Sequence, residues 1–185
     1  MGELFHTGKA RNDTARRRDR EKLRRAFRPA RVQLLFVGEA PPASGRFFYS
    51  RNSGLYRAMR DSFRSVDPGI DDENFLAVFR ASGCYLIDLC PEPVDRLDSK
   101  LREAARQAGE RFLARKIVQL QPVTIAPVLR SISGHVLRSA THAGWLGQIV
   151  HLPYPGRWSR HRNAFIEALA PRLRNLMSSS GAAPD

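Results

Sequence analysis

Cysteine is scarce in this chain, with only Cys84 and Cys90 among 185 residues. Two thiols cannot ligate a four-cysteine iron–sulfur cluster, and they do not make the disulfide framework of a small secreted domain. Both lie in or beside an apolar run, which marks them as buried free thiols. No apolar stretch approaches the roughly 20 residues that span a bilayer. Basic residues follow the N-terminus too soon for a signal-peptide core, so the expectation is a cytoplasmic protein. There is no Walker loop, no Gly-x-Gly-x-x-Gly and no Gly-x-Ser-x-Gly elbow. His and Cys spacing does not suggest zinc, and neither a metal nor a cofactor is expected. Acidic residues are also outnumbered: 18 Asp and Glu face 31 Lys and Arg, for a net charge of +13. That excess predicts a polyanionic partner, with an anionic membrane surface as the competing explanation.

What is present is the composition of one globular domain. A hydrophobic content of 42% argues against disorder over most of the length, and 185 residues can bury one substantial core. Residues 1–30 form a basic N-terminal arm or helix, in which Ala15, Leu23 and Phe27 fall close to helical spacing. Phosphate contact and a solvated arm packing through Leu23 and Phe27 are both open for it. Residues 31–177 form the domain proper, and 178–185 are a small, polar tail expected to be disordered.

Within the domain, buried strands are expected over 32–37, ending at Gly38, then over 84–90, 123–129 and 147–152. Helices are expected after Ser53, over 72–81, over 99–120 with a break at Gly109, over 135–141 and over 162–177. Strands alternating with helices imply a parallel sheet with helices on both faces, and ligands then bind at the carboxyl ends of the strands. The unusual residues cluster at those ends: Gly38-Glu39-Ala40-Pro41, Asp88, and the stretch 151–158.

Leu35-Phe36-Val37-Gly38-Glu39-Ala40-Pro41, followed by Gly45-Arg46-Phe47-Phe48, resembles the first motif of the bacterial and archaeal uracil-DNA glycosylases, a superfamily whose members carry Gly-Glu-Ala-Pro-Gly and then Gly-Arg-x-Phe. The similarity continues through Ser53-Gly54-Leu55-Tyr56-Arg57. Where that superfamily has His-Pro-Ser-Pro, this chain has Leu152-Pro153-Tyr154-Pro155. The resemblance covers about residues 32–170, with motif matches at its two ends, and lacks the iron–sulfur cysteines. It implies a three-layer α/β/α domain with a four-stranded, mostly parallel sheet. The implied activity is monofunctional DNA base excision by a monomer, with DNA, single- or double-stranded and with a flipped base, as partner.

Cleaving an N-glycosidic bond develops positive charge on the sugar and negative charge on the departing base. By the resemblance, Glu39 orients water or stabilises the sugar, and Phe48 stacks the base, with Tyr49 as second choice. Backbone N–H groups of Gly38, Glu39 and Ala40 face the base, and Arg46 faces the DNA. The superfamily reads the base with Asn where this chain has Asp88, which as an anion accepts only. Protonation through a burial-raised pKa restores a donor there, while pairing with a neighbouring Arg is the other reading. Leu152 falls on the superfamily's histidine. His151, one residue earlier, reaches the pocket as a catalytic donor only across a bulge. After Pro155, Trp158 is either a wedge filling the vacated stack or a cover for the next helix, with Arg157 and Arg160 as phosphate clamps. Two other classes remain: a nucleic-acid-binding module without chemistry, and a glycosidase for free nucleosides.

Overall fold

The computed structural model describes residues 3–156 and 158–180. Helix α1 (Glu3–Ala26) leads into strand β1 (Leu34–Gly38). The chain then runs through α2 (Gly54–Arg64), α3 (Phe75–Ala81), β2 (Cys84–Asp88) and α4 (Ser99–Leu120). It finishes with β3 (Thr124–Pro127), α5 (Ser133–His142), β4 (Gln148–Ile149) and α6 (Ser159–Ser180). The strands form one sheet in the order β2-β1-β3-β4, and every pairing is parallel. Crossovers from β1 to β2 and from β2 to β3 run in opposite directions, so right-handed connections put their helices on opposite faces. Accordingly α4 packs on α5, while α2 packs on α6.

Strands β1 and β2 are buried along their whole length, as expected for apolar runs covered on both faces. Between the sheet and α2–α3 lies an aromatic cluster in which Phe36 stacks on Phe79 and Phe63, Phe75 and Phe79 meet edge to face. Strand β4 keeps only two paired residues where six were expected, because its one neighbour, β3, ends at Pro127, which has no N–H to continue the ladder. Pro127 ends β3, as its missing N–H requires.

Three helices differ from expectation. Helix α3 starts at Phe75 because Asp71 Oδ1 accepts the N–H groups of Glu73 and Asn74, a local turn that competes with the helix. Helix α4 runs unbroken through Gly109. A Cβ there would lie 2.6 Å from the Leu89 carbonyl oxygen, so the glycine permits close packing rather than a break. Helix α6 extends through Ser180, taking in part of the expected disordered tail; residues 181–185 lie outside the described residues. Among the described residues, no helix is long and apolar enough to cross a membrane. Both cysteines are buried and free, and burial pushes the Cys90 thiol up to about 11.

Candidate active site

The connections after β1 and β3 leave in opposite directions, and between them, at the carboxyl ends of the strands, opens a cleft of about 280 Å³. Gly38 to Pro42 line one side, Val128 and Leu129 another, and Asp88 the β2 side. The long loop after β1 is pinned by side chains. Asp95 Oδ1 accepts from Ala43 N at 3.0 Å, and Asn52 Oδ1 accepts from Phe47 N at 2.7 Å. Ser53 Oγ accepts from Tyr56 N at 3.1 Å and caps α2, as its sequence position predicts. The carbonyls of Gly38 and Glu39 accept from Leu89 N and Cys90 N, which seats the start of the loop against the continuation of β2.

Gly38 pairs with Asp88 across the β1–β2 ladder. A Cβ on Gly38 would lie 2.6 Å from Asp88 Oδ1, so this position admits only glycine while the carboxylate leans over it. Asp88 Oδ2 accepts from Arg24 Nη2 at 2.7 Å. Arg24 is buried; its Nη1 donates to Glu21 and its guanidinium lies 5.3 Å from the centroid of Phe47. Burial pushes the Asp88 carboxyl up, and the charges of Arg24 and Arg20 only partly offset this, leaving its pKa above the ordinary aspartate value. The pairing with a neighbouring arginine is present, beside a carboxyl pKa that burial raises.

Glu39 lines the same cleft but is only 8% exposed. Arg102 and Arg106, one helical turn apart on α4, both engage its carboxylate. Arg102 donates from Nε to Oε1 at 2.7 Å and from Nη2 to Oε2; Arg106 donates from Nε to Oε1 at 2.7 Å. Burial alone pushes this carboxyl up, but hydrogen bonds and charge from the two arginines outweigh it and hold the pKa below the ordinary glutamate value. Glu39 is thus a persistent anion with most of its acceptor sites taken, suited to electrostatic stabilisation and water orientation rather than to proton abstraction.

Phe48 forms part of the cleft wall, its ring packed edge-on against Tyr56 and Phe75. Ala40 and Arg46 also line the cleft, Arg46 from its exposed rim. Tyr49 does not, which corrects its reading as a base contact. Its ring is buried, and its hydroxyl donates to Leu86 O at 3.1 Å and accepts from Leu86 N at 2.9 Å. It covers the backbone of edge strand β2.

His151, expected as a catalytic donor if a bulge brought it to the pocket, does not line the cleft. Val150 N bonds to Ile125 O just past the last paired residue, Ile149, and His151 and Leu152 follow beyond the strand. Leu152 is buried and His151 exposed, 3.5 Å from Ser133 Oγ; both line a neighbouring hollow of about 680 Å³. Tyr154 lines the hollow and the cleft together. Trp158 is exposed, and its carbonyl accepts from His161 N and Arg162 N at the start of α6; neither Trp158 nor Arg160 lines the cleft. Arg157 lies outside the described residues. The basic first helix is partly engaged within the molecule: Arg17 and Arg20 pair with Glu92, besides the buried Arg24.

Three arginines that engage the cleft carboxylates had no local sequence signal for that role. Arg102 and Arg106 meet Glu39 across 63 and 67 residues, and Arg24 meets Asp88 across 64. Tyr154 was signalled only by its place in Leu152-Pro153-Tyr154-Pro155. Fold and cleft together define an α/β protein with a crevice at the switch point of a parallel sheet. No protein-family model matches the chain, and no curated protein matches it.

Proposed function

We propose that the protein is a monofunctional DNA glycosylase of the uracil-DNA glycosylase type, a cytoplasmic monomer that hydrolyses the N-glycosidic bond of a damaged or deaminated base. The observation that carries this reading is the convergence of Gly38, Glu39, Ala40, Phe48 and Asp88 on one cleft, with Arg46 at its rim. An apolar wall bearing few polar groups is the lining a flipped base requires. Phe48 stacks the extruded base. Asp88, fixed by Arg24 with its carboxyl pushed up by burial, faces its polar edge. The fixed anion of Glu39 stabilises the cationic sugar and orients the attacking water, while the departing base takes the negative charge. The positive charge of the chain, with Arg46 at the cleft rim and Arg160 and Trp158 beyond it, holds the DNA.

The test uses oligonucleotides that each hold one altered base, single- and double-stranded, treated with alkali after incubation. Alkali-labile breaks that disappear in Glu39→Gln support the enzyme. One set of observations favours a second reading, a nucleic-acid-binding module without chemistry: the Glu39 and Asp88 carboxylates are both ion-paired, and His151 lies outside the cleft. Tight binding to every oligonucleotide, with no abasic site formed, selects that reading.

A further inference from the structure

A second cavity, of about 320 Å³, lies on the other side of the edge strand, between the end of α1, β2 and α4. Alternation along β2 separates the two sites: Leu86 and Asp88 face the cleft, whereas Tyr85 and Ile87 face this cavity. Its rim is cationic. Arg24, Arg25 and Arg28 come from α1 and the turn after it and Lys116 from α4, against Glu21 as the one carboxylate among the lining residues. Arg24 is engaged by Glu21 and Asp88. Among the described residues, no carboxylate pairs with Arg25, Arg28 or Lys116. Burial and the charges of Arg25, Arg24 and Arg28 depress the Lys116 ammonium below the ordinary lysine value, so the cluster repels itself as it stands. Beneath the rim the floor is apolar. Tyr85 and Ile87 are buried, and Lys116 Nζ stands 5.6 Å from the centroid of Phe112.

We propose that this cavity binds a phosphate monoester carrying a flat ring, a ligand of the nucleoside monophosphate class, with Arg25, Arg28 and Lys116 on the phosphate. Several unpaired cations converging on one small space are matched by a dianion better than by the single charge of a phosphodiester. The volume equals about ten waters at roughly 30 Å³ each, more than a phosphate fills. Phe112 and Tyr85 supply the surface against which a ring packs. The site does not rest on base excision, since it faces away from the cleft and its test contains no DNA substrate.

Calorimetric titration of the full chain with thymidine 5′-monophosphate, inorganic phosphate and the dinucleoside phosphodiester of thymidine tests it. The monophosphate is expected to bind more tightly than either other probe. Lys116→Met and Arg28→Ala are each expected to weaken it by about tenfold or more, the loss of one charge-assisted hydrogen bond, with unchanged circular dichroism. Lys116→Met keeps the apolar stem over Phe112, and Arg28 is exposed, so the fold survives both. No saturable binding at millimolar monophosphate overturns the proposal. So does binding that both variants retain, which locates the ligand elsewhere. Equal affinity for the phosphodiester overturns the monoester preference, and equal affinity for bare phosphate overturns the role of the ring.

Discussion

Arg24 Nη2 and Asp88 Oδ2 meet at 2.7 Å, tying the end of the first helix to the residue that faces Gly38 in the cleft. Both side chains are nearly buried, so removing one partner strands the other charge. Arg24→Met is expected to destabilise the protein by about 3 kcal/mol. Arg24→Met/Asp88→Asn is expected to lose less than the sum of the two single variants. Urea unfolding of the four proteins measures this, and additive losses would remove the coupling.

Phe48 separates a stacking role from a packing role. Phe48→Leu keeps an apolar side chain but removes part of the ring volume from a buried cluster, and its stability is expected to fall by about 1–2 kcal/mol. Base stacking contributes about 1–3 kcal/mol, so excision is expected to drop by about fivefold or more. Single-turnover excision beside thermal unfolding reads both quantities. An excision rate equal to wild type would leave Phe48 a core residue only.

The two cleft carboxyls respond to pH with opposite signs. Glu39 has its folded pKa depressed, so its ion pairs stabilise the protein above the ordinary value of 4.5, and that stability is lost as pH falls through the lower folded value. Asp88 has its folded pKa raised, so its contribution is greatest below 3.8 and declines as pH rises toward the folded value. The stability gap between wild type and Glu39→Gln is therefore expected to be constant near neutrality and to narrow in acid. With Asp88→Asn, wild type gains relative to the variant as pH falls. Denaturant midpoints from neutral to acid pH settle the signs, and a gap to Glu39→Gln that widens in acid contradicts the ion-pair account.

Tyr49→Phe removes only the hydroxyl that serves Leu86 N and Leu86 O. Leaving those buried groups unpaired is expected to lower stability by about 1–3 kcal/mol, with excision unchanged at temperatures where the variant is folded. A selective fall in excision with intact stability would return Tyr49 to the base.

The sheet was legible because its strands are short apolar runs ended by Gly, Asp or Pro, and the Ser53 cap was legible because its signal is local. The grouping of Gly38, Glu39 and Phe48 was legible for the same reason, since one short loop supplies all three. The charge state of the site was not. It depends on Arg24, Arg102 and Arg106, basic residues in helices whose sequence does not distinguish a solvated arginine from one turned inward. Gly109 misled because a glycine that breaks a helix and one that lets a backbone approach look alike until the neighbour is known. Residue 151 lies past the end of β4, and its histidine does not line the cleft.

The hydroxyl that Tyr49 sets against Leu86 has a consequence for association between molecules. One border of the sheet is thereby denied to any foreign strand seeking a ladder, and the opposite border, β4, offers a template only two residues long. Chains of this protein at high concentration are guarded at both borders against joining sheet to sheet into fibres.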